Sequence, residues 1–456
     1  MSELYKFLKQ KNNTYKTWLQ DVCSVPSVAT DKDSCRKVVD SLGELLLSIE
    51  AKVTIYETES NPVIWAEVGE GDKTFMIYGH YDVQPVDDEN AWNSSPYKIK
   101  ETKDKYYGRG VCDCKGNIIA NIFAVKAYLD EYGKLPCRII FFLEGDEERG
   151  SPTLEKFSSK NKKLFSDVDF CMFPGEQNYI DPAENNVVTV GYKGCYYCEL
   201  EVTGANTPVH SSLGTLIENP AWRLVWALST IKNEKDEILI NEITENAVPP
   251  TKKEEEVLKK WPFDTDKVKK QYSVKKLIGD VLGYAAKKKH IFEPTCTVCG
   301  IWAGNTGEGV VKTIVPNKAT VKLDFRLVPN LTPDFVENAL RNHLDENGFA
   351  DVTVKNLVKL PVGYSDLDSP IYKTVSSVMK DVYGKEPKYL VRSPGGGPQY
   401  YICSQFGVPV FTAGVGYYGS KVHAPDENVR INDFYKHMEF VFSFLENLGQ
   451  KGGKVT

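Results

Sequence analysis

Two short apolar runs set the fold class of this chain. TFMIYGH at residues 74–80 and CRIIFFLEG at residues 137–145 are nearly continuous in hydrophobic residues. Such runs read as strands covered on both faces, the pattern of a largely parallel sheet. Between them Ile118, Ile122, Val125 and Leu129 recur at helical spacing and stop near Tyr132 and Gly133. That spacing predicts the crossover helix a parallel connection requires. The expected class is α/β, built on a mostly parallel sheet.

The texture changes at about residue 188. VKLDFRLVP (residues 321–329) alternates strictly, with Val321, Leu323, Phe325 and Leu327 on one face and Lys322, Asp324 and Arg326 on the other, so one face of that strand meets water. One helix is expected after Asn219 and Pro220, another between the Thr332-Pro333 cap signal and Asn347-Gly348. A charged stretch at about 245–292 is expected to be helical in parts. After about residue 363 the α/β texture returns, with a helix near 370–383, the buried run VPVFTAGVG and a final amphipathic helix through Phe434 to Leu448. The simplest organisation is a discontinuous domain of residues 1–187 plus 363–456, carrying an inserted α+β domain of residues 188–362.

Composition narrows the function. With 456 residues, 41% hydrophobic and 26% charged, the chain reads as an ordinary globular enzyme. A net charge of -6 leaves no basic footprint for nucleic acid, and Lys287 to Lys289 are assigned to a solvated face. No stretch approaches a membrane-spanning length, and Met1 to Asn12 lacks the apolar core of a signal peptide. Eleven cysteines, an odd number, point to reduced thiols and a cytoplasmic location. The pairs Cys195/Cys198 and Cys296/Cys299 are not expected to form a zinc site, because residues three apart on a strand face opposite ways.

The chemistry collects where the apolar runs end, which is where an open α/β sheet gathers ligands. His80 and Asp82 follow the first run, Asp113 lies in GRGVCDCKG, Glu147 and Glu148 follow the second run, Glu176 follows VDFCMFPG, and His423 follows the last. Two imidazoles and several carboxylates suit zinc, with cobalt or manganese as alternatives. Asp82, two residues after His80, is placed to take the second imidazole N–H. Adjacent Glu147 and Glu148 cannot point the same way, so one can hold metal while the other faces water. His290, His343 and His437 are expected at the surface, without function.

Taken together, GHYDVQP, GRGVCDCKG, EGDEERGS and HAPDE resemble the metal motifs of the dinuclear zinc exopeptidases of the M20 type, over nearly the full length. PVHSS, EPTCTVCGIWAG, KTIVPNKA and DFRLVPN resemble the lid of the carnosinase-like dipeptidase branch. The resemblance implies a catalytic domain, a lid that dimerises, and two zinc ions held by His80, Asp113, Glu148, Glu176 and His423, with Asp113 bridging. It implies Glu147 as general base, Asp82 behind His80, and His210 reaching a neighbouring subunit's site to stabilise an oxyanion. Arg326, Thr313 and the backbone of Gly395, Gly396 and Gly397 would contact substrate.

The sequence departs from the pattern at Cys114, where Asp or Asn is usual, and at Glu176, where carnosinase-like members have Asp. The implied activity is hydrolysis of small peptides with a free terminal carboxylate, by a dipeptidase or carboxypeptidase. An N-acyl-amino-acid amidohydrolase or desuccinylase is the alternative, and a catalytically silent binding scaffold a remote one.

Overall fold

The computed structural model describes residues 3–10, 12–175, 186–261, 263–305, 307 and 309–450. Its larger sheet has six strands, in the spatial order Lys52–Tyr56, Val63–Val68, Arg138–Glu144, Thr74–His80, Phe170–Pro174 and Val410–Ala413. The first two strands pair antiparallel, as does Val63–Val68 with Arg138–Glu144. The remaining ladders are parallel, so the mostly parallel sheet read from the two apolar runs is present.

Every residue of Thr74–His80 is buried, which is why its sequence does not alternate. The Lys115–Tyr132 helix crosses over between the two runs and ends on Gly133, whose φ of 70° is the left-handed cap a glycine adopts without Cβ strain. The helix packs with Ile431–Gln450, Phe75, Ile77, Phe141 and Leu143 in the main apolar core. Each fully buried Phe or Ile contributes about 1.5–3 kcal/mol there. Four parallel strands finish on one edge, with His80 opposite Glu144 and Ala413 opposite Pro174. The loops that follow His80, Glu144 and Ala413 therefore meet.

A second, antiparallel sheet runs in the order Thr295–Ala303, Lys318–Leu327, Gly194–Thr203 and Thr353–Leu360. Val321, Leu323, Phe325 and Leu327 pack on the helices Pro220–Ile231 and Pro333–Glu346, and Lys322, Asp324 and Arg326 stay partly exposed on the other face. Asn219 and Thr332 cap those helices by accepting the N–H of Ala221 and Phe335. The charged stretch contains the helices Lys252–Lys260, Thr265–Gln271 and Gly283–Phe292, the first opened by a Thr251/Glu254 capping box.

Three expectations are corrected. Lys287 is buried, its ammonium donating to the carbonyls of Leu258, Lys259 and Trp261, so it ties two helices together rather than facing water. His437 is fully buried, with Nε2 2.8 Å from Asn121 Oδ1. His290 and His343 are partly buried, His343 Nε2 lying 2.8 Å from the Thr230 carbonyl. Lone polar residues inside helical patterns gave no sign of which face the tertiary packing would cover.

All eleven cysteines are free. Cys198 and Cys296 lie in the helix-side core, while Cys195 faces the other side of the sheet toward Asp324. The two pairs are therefore split between faces. Among the described residues no helix is long and apolar enough to cross a membrane.

Candidate metal centre and active site

His80 closes its strand, and its Nε2 lies 2.9 Å from Asp113 Oδ1. Asp113 sits just before the crossover helix, and its other oxygen, Oδ2, lies 2.9 Å from His423 Nε2. One carboxylate thus stands between two imidazoles, each oxygen serving one ring. His423 Nε2 is also 3.2 Å from Glu148 Oε2, and Gln84 Nε2 donates to that same oxygen at 2.9 Å. Ligand atoms of His80, Asp113 and Glu148 all lie within 4.8 Å of one another. His423 is held at φ 63°, a left-handed conformation that a non-glycine residue adopts at a cost of about 1–3 kcal/mol.

The donor set fits a cation. Glu148 Oε1 is buried and has no hydrogen-bond partner among the described residues, an arrangement that costs about 1–3 kcal/mol unless an ion or donor completes it. Burial pushes the Asp113 carboxyl up, but hydrogen bonds from His423 and His80 outweigh this and hold it below the usual carboxylate range. The same contact with Asp113, then that with Glu148, raises His423 to about 10. Two imidazoles and two carboxylates are thus gathered in a small, partly buried space, the borderline-hard ligand mix that zinc accepts.

Glu147 and Glu148 lie on one short 3-10 turn, Glu147–Arg149, directly beyond the Arg138–Glu144 strand. Burial raises Glu147 to about 8, opposed by His80 and reinforced by Asp113, Glu148 and Asp82. Asp82 is fully buried. Its carboxylate accepts the N–H groups of Glu147 at 3.3 Å and Glu148 at 3.0 Å and lies 3.4 Å from His80 Nδ1. Cys114 is also fully buried, and burial pushes its thiol up to about 12, so it stays protonated beside the ligands.

His80, Asp82, Asp113, Glu147, Glu148 and His423 are brought together. Glu176 lies outside the described residues. His210 and Thr313 stand elsewhere, on a two-stranded ribbon in which Val209–His210 pairs with Ile314–Val315 and Ser211 donates to the Thr313 carbonyl. His210 is exposed, its Nδ1 2.9 Å from Ser212 Oγ. Arg326 pairs with Asp324 at 3.0 Å, and the glycine loop approaches it closely: a Cβ on Gly396 would lie 3.3 Å from Arg326 Nη1. The Gly395 N–H is occupied by Ser393 Oγ, which leaves less free backbone in that loop than its sequence suggests.

Sequence reasoning missed Gln84, Arg109 and Glu427, although all three lie inside the quoted motifs. Glu427 is fully buried and paired with Arg109. Gln84 meets Glu148 and Glu427 meets Arg109, and spacing alone carries no signal for such contacts.

The profile of peptidase family M20/M25/M40 matches residues 76–447. The chain belongs to this family. As an M20 member it is a metallopeptidase-type hydrolase. It is 30% identical over 339 residues to the Beta-Ala-His dipeptidase of Rattus norvegicus, covering 72% of this chain and 68% of that protein. The Cys-Gly metallodipeptidase of Schizosaccharomyces pombe is 25% identical, with 98% of each chain covered. In three dimensions the chain resembles an M20 family metallo-carboxypeptidase from Sulfolobus solfataricus with a TM-score of 0.88 and 31% identity, over 99% of this chain and 100% of that one.

Proposed function

We propose that this M20 peptidase cleaves the amide bond of small peptides bearing a free C-terminal carboxylate, as a dipeptidase or carboxypeptidase. The observation that carries the reading is the Asp113 carboxylate, flanked by His80 and His423 with Glu148 completing the cluster. His80, Asp113, Glu148, Glu176 and His423 would hold two zinc ions, Asp113 between them. Manganese and cobalt suit the same ligands. When bound, the metal pair supplies Lewis acidity to the scissile carbonyl and to the attacking water.

Glu147 takes the proton of that water and hands it to the leaving amine, as a carboxylate set beside the ligands can. Asp82 fixes the His80 tautomer and the turn that carries Glu147. Arg326 releases Asp324 to pair with the substrate carboxylate, with Thr313 and the loop of Gly395, Gly396 and Gly397 as further contacts. Residues 1–187 plus 363–456 serve as the catalytic domain, and residues 188–362 as its lid.

The lid also serves as a dimer surface in this reading. Its edge strand Thr295–Ala303 exposes Val298, Ile301 and Trp302, and the Pro220–Ile231 helix exposes Trp222, Val225 and Trp226. Among the described residues no further strand pairs on that edge, and an apolar edge of that kind supports coverage by a second copy. His210 of the partner subunit then supplies the donor for the developing oxyanion, in keeping with its exposure here. Eleven free thiols support a cytoplasmic setting.

The test compares zinc-loaded protein on unblocked dipeptides and on N-acetyl and N-succinyl amino acids. Faster, chelator-sensitive cleavage of dipeptides is expected. Preference for the acylated set would move the assignment to an amidohydrolase, and no cleavage of any amide would favour a binding scaffold.

A further inference from the structure

Glu427 lies four residues after His423, and nothing in the catalytic reading uses it. Its side chain is completely buried. Oε1 accepts the N–H groups of Cys112 at 2.9 Å and Asp113 at 3.0 Å. Oε2 accepts the N–H of Gly110 at 3.1 Å and Nη1 of Arg109 at 2.8 Å. The Glu427 carbonyl completes the clasp by accepting the Gly108 N–H at 3.0 Å. Arg109 is itself buried, its guanidinium 5.3 Å from the Trp92 ring centroid.

Burying an ion pair gives little net stability compared with apolar side chains of similar volume, because desolvation costs several kcal/mol per ion. What the pair does provide is a fixed geometry. Residues 108–113 form an irregular loop in which the N–H groups of Gly110, Cys112 and Asp113 converge on one carboxylate, as backbone amides do around a bound anion. The same carboxylate belongs to the loop that carries His423. It therefore holds two ligand-bearing loops against each other, while the side chains of Asp113 and His423 meet at 2.9 Å.

We propose that Glu427 is a positioning residue of the metal centre, fixing Asp113 relative to His423 by clasping the backbone of residues 110–113. The proposal rests on the ligand set given above. Glu427 touches no substrate and no proposed ligand atom.

The test is Glu427→Gln, which keeps shape but replaces one acceptor oxygen with a donor facing other donors. Zinc affinity is read by competition with a chromophoric chelator, and thermal midpoints are measured with and without zinc. Affinity is expected to fall about 10- to 100-fold, the range seen when a partner behind a metal ligand is lost. The zinc-loaded midpoint should fall further than the zinc-free one at limiting zinc, and excess zinc should restore most of kcat with KM unchanged. Wild-type zinc affinity, or equal falls of both midpoints, would overturn the proposal. If Glu427→Gln does not fold, Glu427→Asp keeps the charge but withdraws the oxygens by one methylene. It is expected to lose affinity in the same sense, and wild-type affinity would overturn the proposal equally. Failure of the wild type itself to bind zinc would instead overturn the ligand set.

Discussion

The carboxylate of Asp82 accepts the backbone N–H of Glu148 at 3.0 Å. That bond ties the loop after the Thr74–His80 strand to the turn after the neighbouring strand, so His80 and Glu148 reach the candidate cation site together. Asp82→Asn keeps the shape but puts a donor where the N–H groups of Glu147 and Glu148 point. Zinc affinity should fall about 10- to 100-fold, and kcat at limiting zinc should fall with it. Zinc titration of the purified variant checks this; unchanged affinity would remove Asp82 from the account.

Arg326 is expected to act through substrate affinity. Arg326→Ala should raise KM for unblocked dipeptides about 10- to 100-fold, the effect of losing a charge-assisted pair of about 1.5–3 kcal/mol. A dipeptide amide, which lacks the carboxylate, should show little difference between variant and wild type. Steady-state kinetics on both substrates separate the clamp from the loss of the Asp324 pair, and an unchanged KM would refute the clamp.

How far these residues were legible depends on whether the signal was local. The strand ends at His80 and Glu144 and the Asn219 and Thr332 caps follow from short-range pattern, because each depends on neighbours within a few positions. Four of the five motifs could be brought together because parallel strands must release their loops on one edge; the fifth, with Glu176, lies outside the described residues. Glu427 and Arg109 were not legible, since their contacts join chain segments 318 positions apart. His437 and Lys287 failed for the same reason: each is covered by an element distant in sequence or added by the insertion.

His437 makes stability depend on pH. Burial lowers its pKa from 6.5 to about 3, so the ring is neutral in the folded chain. The unfolded chain takes up a proton below about pH 6.5, so unfolding binds a proton and stability falls as pH drops from there toward the folded value. The slope is about 1.4 kcal/mol per pH unit. His437→Gln removes this proton, so between about pH 7 and about pH 5 the wild type should lose about 2 kcal/mol more than the variant in urea unfolding. Parallel curves would show that His437 does not carry the effect.

Trp222 and Trp226 stack at 6.2 Å between ring centroids on an exposed helix face, which a second copy is proposed to cover. Trp226→Glu should convert a dimer to a monomer in light scattering coupled to size exclusion. If His210 of the partner subunit serves the site, the monomer should also lose at least about tenfold in kcat while keeping its zinc. A variant that stays dimeric, or a wild type that is monomeric, would contradict that surface.

The central claim is that Glu147 moves the proton while its neighbours hold metal. The most direct measurement is turnover of an unblocked dipeptide by wild type and Glu147→Gln, with zinc content determined on the same samples. Two zinc ions per chain in both proteins, with kcat reduced at least about 10²-fold in the variant, is the predicted result. Equal turnover at equal zinc content would contradict the account.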